Sequence, residues 1–163
     1  MNTTTKVCYF DLDGTLADRR HRTGFSLPHG GVDWARVYAP ENILEDPLLD
    51  AGYAHHRQFA AQGAEIWYLT ARRERNRPAT AQWLAVHGFP AQRLIMKPET
   101  ETRYGSDWKL AWLETAIAEH GDQGRTVVVI DNSDELIGEL DRRARHDGWP
   151  VETILADWLP PLA

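Results

Sequence analysis

KVCYFDLDGTLAD, Lys6 to Asp18, is the stretch whose reading decides the fold. Val7, Cys8, Tyr9 and Phe10 form a short apolar run closed by Gly14, the pattern of a buried strand that ends in a tight turn. In an extended chain residues two apart point the same way, so Asp11 and Asp13 project together past the strand's carboxyl end. Two carboxylates brought that close repel, and they persist together where a hard cation such as Mg²⁺ bridges them or where one is protonated. Either condition suits phosphoryl chemistry. A lone Asp-x-Asp marks a turn as readily as a metal site, so the choice depends on what other strands bring beside it.

Downstream, apolar runs alternate with stretches of helical spacing. The pattern predicts a helix over Pro47 to Gln62 closed by Gly63, then a strand, EIWYLT, over Glu65 to Thr70 that delivers Thr70, Ala71 and Arg72. A second helix is expected from about Pro78 to His87, with Gly88 past its end. Leu94 to Met96 reads as a minor strand, and Ser106 as the cap of a helix from Asp107 to about Glu119. TVVVI, Thr126 to Ile130, carries four consecutive branched residues without alternation, as in a strand covered by helices on both faces. A helix from Ser133 to Arg145, a strand from Val151 to Leu155 and a short tail, DWLPPLA, complete the chain. Such alternation implies an α/β fold: three layers, Rossmann-like, with a central, mostly parallel sheet and right-handed crossovers. The segment at about 19–46 interrupts it with Pro28, Gly30, Gly31 and Pro40, and reads as a loop with one short helix around Val32 to Tyr38. A stretch this long without structure of its own is expected to be a small cap or lid.

Composition bounds the rest. The 163 residues make one ordinary domain, 1–163, with 42% hydrophobic residues and seven Trp, which excludes global disorder. A single cysteine, Cys8, excludes an internal disulfide and a four-thiolate zinc site, and a reducing cytoplasm is the natural compartment. MNTTTK holds no apolar leader and no long apolar run follows, so neither secretion nor a membrane is expected. A net charge of −6 argues against a generic coating of nucleic acid, which works by neutralising phosphates.

Three predicted strands each end in a polar cluster: Asp11 with Asp13, Thr70 with Arg72, and Asp131 with Asn132, Ser133 and Asp134. In an open parallel sheet these ends share one edge, where ligands bind. A phosphoryl-transfer site needs a nucleophile, an acid, a metal and donors for the phosphoryl oxygens, and these residue types supply them. Lys109 falls in the first turn of a helix, where a cation opposes the helix dipole, so stability does not recommend it.

FDLDGTLAD, YLTAR, Lys109 and VVVIDNSDE resemble the four successive motifs of the haloacid dehalogenase-like (HAD) phosphatase superfamily, over Val7 to about Asp134. The resemblance implies that Asp11 attacks the substrate phosphorus, that Asp13 serves as acid and then base, and that Thr70 and Lys109 hold phosphoryl oxygens. It places Mg²⁺ between Asp11, the Asp13 carbonyl and Asp131, beside Asn132. Gly14, Thr15, Ala71, Arg22, Arg72 and Arg103 would contact substrate. Many members carry two adjacent acids where this chain has Asp131 and Asn132, so Mg²⁺ affinity falls or Asp134 or Glu135 acts as the outer carboxylate.

Within the superfamily, DGTLADRRHR, a Trp in the following loop, TAR and MKPETETRYGSDWK are similar to the 3′-phosphatase domain of phage-type polynucleotide kinases. That likeness implies a 3′-phosphorylated nucleic-acid end or related nucleotide as substrate. No Walker-type glycine-rich motif is present, so kinase or ligase steps would fall to a separate partner. The alternatives are a mononucleotide or small-metabolite phosphatase, and a non-catalytic binding module that keeps the fold. Trp67, Trp83, Trp108 and Trp112 are expected in the core. Trp34 is expected to pack, with stacking on a base as its alternative. His55 and His56 have no partner at metal-ligand spacing and are expected to pack or face solvent.

Overall fold

The computed structural model describes residues 5–159. Met1 to Thr4, part of the stretch read as free of a leader, and the tail's end from Pro160 lie outside the described residues. Five strands, β1 (Lys6–Phe10), β2 (Glu65–Arg73), β3 (Leu94–Lys97), β4 (Thr126–Asp131) and β5 (Val151–Leu155), pair in the order β3-β2-β1-β4-β5. Every pairing is parallel, so the expected mostly parallel sheet is wholly so. The chain leaves β1 toward β2 on one side and returns to β4 on the other, which opens a crevice at the carboxyl ends of β1 and β4.

The period of two along each strand builds two cores. Cys8, Phe10, Ile66, Tyr68, Val128 and Ile130 face one side, together with Ile43, Phe59 and Trp83. These last three come from α2 (Pro40–Leu44), α3 (Asp50–Ala61) and α4 (Arg77–Val86). Val7, Tyr9, Val127 and Val129 face the other side and meet Trp108, Leu113, Leu136 and Leu140 of α5 (Gly105–Asp122) and α6 (Asp134–Asp147). Strands buried on both faces need no alternation of polarity, which is why TVVVI reads as a continuous apolar run. Cys8 belongs to the core, where burial pushes its thiol up to about 12 and leaves it inert.

Several boundaries differ from the sequence reading. Residues 47–49 do not begin the helix: Asp18 N donates to Pro47 O and Leu49 N to Leu16 O, so this segment lies extended against the loop after β1, and α3 starts at Asp50. Strand β2 continues past Thr70 to Arg73 through a register irregularity against β3. Helix α5 starts at Gly105, with Tyr104 rather than Ser106 at its cap position. In the 19–46 segment the short helix is α1 (Trp34–Val37), and a second, unexpected one is α2, which uses Pro40 at its first position. Val37 and Ile43 are buried, so the segment is folded down onto the sheet's flank.

Candidate active site

The loop after β1 is a tight backbone cage. The N–H groups of Thr15, Leu16 and Ala17 all donate to Leu12 O, while Asp11 N donates to Ile130 O and ties β1 to β4. Gly14 takes φ +85°, a left-handed conformation that glycine adopts without strain, and a Cβ there would stand 2.2 Å from Asn132 Nδ2, so the two loops lie close together. Asn132 is thereby packed against the first motif.

Three elements then deliver their charges to one point. The ammonium of Lys109, on α5, lies 2.8 Å from Asp11 Oδ1 and 2.6 Å from Asp131 Oδ2. All three groups are buried. Thr15 Oγ1 reaches Asp11 Oδ2 at 3.3 Å, and Ser133 N donates to Asp131 Oδ1 at 2.9 Å. Burial, together with the charge of Asp131, pushes the Asp11 carboxyl upward by more than Lys109 pulls it down. Burial opposes the charge of Lys109 too, yet the two carboxylates hold its ammonium above the usual lysine range. Their attraction offsets the unfavourable placement of a cation near the helix N-terminus.

Asp13 belongs to a second cluster. Its Oδ1 accepts from Arg22 Nη2 at 2.9 Å and from Arg72 Nη2 at 2.6 Å. Both guanidinium groups also bind Asp46: Arg22 through Nε and Nη2 at 2.8 Å each, and Arg72 through Nη2 at 3.0 Å. His21 Nε2 stands 2.7 Å from the same carboxylate. Burial would raise the Asp13 carboxyl, but Arg72 and Arg22 outweigh it and hold Asp13 well below the usual carboxylate range.

The structure places the sequence-derived candidates unequally. Asp11, Asp13, Ala71, Arg72, Lys109, Asp131 and Asn132 line one cavity of about 280 Å³. Thr70 and Thr15 are buried beneath it, with Thr70 Oγ1 accepting from Arg72 N at 3.2 Å. Arg22, expected at the substrate, is a correction: its side chain is 0% exposed and its donors go to Asp13, Asp46 and Val37 O. Arg72 touches the cavity, but its guanidinium is likewise spent on carboxylates and Thr80. Arg103 is not among the lining residues; it is exposed and paired with Glu101 at 2.8 Å. Arg19, Tyr38, Gly105, Ser106 and Ser133 also line the cavity. Of these, Arg19 forms no ion pair among the described residues. Asp46 was missed altogether, because a single Asp before Pro47 carries no local pattern.

Among the described residues no three His, Cys, Asp or Glu side chains form a metal cage of their own. The donor set still fits Mg²⁺, which keeps several waters and takes one or two carboxylates plus phosphate oxygens. Asp11 and Asp131 supply two hard, buried carboxylates that share only one cation, Lys109.

No family model matches the chain, and no curated protein matches it. Solved structures do. A chain of the Pnkp1/Rnl/Hen1 complex superposes with a TM-score of 0.63 at 18% identity, covering 95% of this chain and 47% of that one. The class C acid phosphatase from Bacillus anthracis with tungstate bound gives 0.55 at 16%, covering 97% and 69%. The HAD domain of the effector Lem4 from Legionella pneumophila gives 0.55 at 13%, covering 95% and 88%. The chain spans about half the length of the Pnkp1/Rnl/Hen1 chains it matches, at 47% and 45%. No helix among the described residues is long and apolar enough to cross a membrane.

Proposed function

The chain has the HAD-like α/β fold, and on that premise we propose that it is a Mg²⁺-dependent phosphomonoesterase that removes the 3′-phosphate from polynucleotide ends. The observation that carries the reading is the convergence of Asp11 and Asp131 on the Lys109 ammonium at the sheet's switch point. A carboxylate repels a phosphate dianion, so an attacking Asp needs cations on its far side; Lys109 is one. Mg²⁺, held by Asp11, Asp131 and the Asp13 carbonyl with Asn132 beside them, would supply the rest of that charge.

In the proposed cycle a carboxylate oxygen of Asp11 attacks phosphorus as the ester P–O bond breaks, and the leaving oxygen takes a proton from Asp13. Asp13 then removes a proton from water, which attacks the aspartyl phosphate, releases inorganic phosphate and restores Asp11. Held ionised by Arg22 and Arg72, Asp13 stands in the form suited to the second step. Its donor role requires it to leave the arginines as the substrate oxygen arrives. Arg19 and Ser106, on the cavity wall, are placed to meet further phosphate oxygens, and the 19–46 segment would serve as the cap.

The polynucleotide preference rests on the motif likeness and on the resemblance to a chain of an RNA repair complex. It carries with it a separate kinase or ligase as partner. The test is phosphate release from a 3′-phosphorylated oligonucleotide, with 3′- and 5′-mononucleotides for comparison. Turnover is expected with Mg²⁺, lost in EDTA and in Asp11→Asn. An oligonucleotide that proves the poorest substrate sinks the polynucleotide reading in favour of a small-molecule phosphatase, and no turnover of any phosphomonoester sinks both.

A further inference from the structure

We propose that Trp34 and Tyr104 form an aromatic rim that stacks the terminal bases of a single-stranded nucleic acid whose phosphate enters the cavity. The inference rests on the phosphoryl pocket proposed above for its position, but its readout needs no turnover.

Trp34 is 58% exposed and Tyr104 83% exposed. Single exposed apolar residues are ordinary, but each of these two is a direct neighbour of residues that line the same cavity. The Trp34 ring lies parallel to that of Tyr38, at 16° and 6.1 Å between centroids, and Tyr38 lines the cavity. Tyr38 in turn lies against Arg22, whose charge centre is 5.1 Å from the ring centroid and whose Nη2 binds Asp13. A column therefore runs from the catalytic loop through Arg22 and Tyr38 to an uncovered indole. Tyr104 immediately precedes Gly105 and Ser106, which line the same cavity.

Stability explains neither ring. Tyr104 occupies the cap position of α5 and makes no side-chain cap hydrogen bond, where Ser, Thr, Asp or Asn would be better. Trp34 opens a four-residue helix whose one buried residue is Val37. The cavity, at about 280 Å³, falls below the size that encloses a drug-sized ligand, so a phosphate fits while a base stays outside, at the rim. Residues 19–38 carry four arginines against one carboxylate, Asp33, although the whole chain has a net charge of −6. Aromatic faces beside a locally basic segment are the combination that binds single strands with little sequence preference.

The test is the affinity of a fluorescently labelled single-stranded oligonucleotide bearing a 3′-phosphate, measured by anisotropy in EDTA. Two forms are compared, one with its terminal bases and one with abasic terminal residues. Trp34→Ala and Tyr104→Ala should each weaken the base-bearing form about tenfold and the abasic form less than twofold, while Trp34→Phe keeps most of the affinity. Equal losses on both forms, or none on either, overturn the rim. Turnover with Mg²⁺ judges the enzyme separately. A base-dependent loss without turnover keeps the rim and removes the phosphatase, and turnover without a base-dependent loss does the reverse.

Discussion

Asp46→Ala should be among the most destabilising single substitutions in the protein. The Asp46 carboxylate is fully buried, and so are the side chains of Arg22 and Arg72 that it joins. Its Oδ1 serves Arg22 Nε at 2.8 Å and His21 at 2.7 Å, and its Oδ2 serves Arg22 Nη2 at 2.8 Å and Arg72 Nη2 at 3.0 Å. With Asp13 the group balances two carboxylates against two guanidinium ions. Deleting Asp46 leaves both arginines sharing Asp13, one buried positive charge in excess, which costs about 3–5 kcal/mol. With a urea m-value of about 2 kcal/mol/M, the unfolding midpoint should fall by about 2 M. Asp46→Asn should cost nearly as much, because it keeps the volume but removes the charge and turns a donor toward guanidinium. The double variant Arg22→Met with Asp46→Leu leaves Arg72 matched to Asp13, and should recover most of the loss. A loss below about 1 kcal/mol for Asp46→Ala, or a double variant no more stable than the single one, refutes the closed network.

Two further outcomes test the packing around the site. Gly52→Ala should destabilise by about 1–3 kcal/mol in urea unfolding, because its Cβ would stand 2.0 Å from Thr15 O and push α3 off the loop after β1; an unchanged midpoint would mean that α3 does not press on that loop. His56 packs among Phe10, Tyr68 and Phe89, and burial lowers its pKa to about 4. The fold therefore favours the neutral ring: its stability is fully present above the unfolded value near 6.5 and is lost as pH falls toward 4, by about 1–2 kcal/mol after allowance for partial exposure. His56→Phe should show a shallower loss of stability between pH 6.5 and 4.5 than the wild type, and parallel curves would contradict that assignment.

Features written in local pattern were legible before the structure. Uninterrupted TVVVI declares a strand buried on both faces, and Asp-x-Asp behind VCYF marks the edge of the sheet where the cavity lies, because both depend on neighbours in sequence. Lys109 was marked by a conflict, a cation in the wrong turn of a helix, and the conflict resolves in the two carboxylates that hold it. What was hidden depends on neighbours in space. Asp46 sits between a loop and Pro47 with nothing local to distinguish it, and its meaning appears only when Arg22 and Arg72 arrive from 24 and 26 residues away. The same arrival changes the reading of Arg22: a basic residue soon after β1 looks like a substrate ligand until its carboxylates are seen, whereas Arg72 both binds them and lines the cavity. Helix α2 was concealed by the prolines around it, and Trp34 by the general tendency of Trp to be buried.

The two clusters differ in charge, and on the proposed phosphatase reading the difference gives them different work. Asp13, Asp46, Arg22 and Arg72 sum to zero, and among the described residues no buried side-chain polar atom lacks a partner, so this group has no need of a ligand. Asp11 and Asp131 share a single ammonium and, when ionised, are one positive charge short. Burial first, and then the charge of Asp131, press the Asp11 carboxyl upward against the pull of Lys109. A divalent cation there would convert the deficit of one into an excess of one, which is what an incoming phosphate dianion would meet. The neutral cluster next to it then has a separate task. In the proposed cycle it holds Asp13 ionised, two residues from Asp11 and without added net charge, until Asp13 leaves the arginines to transfer a proton.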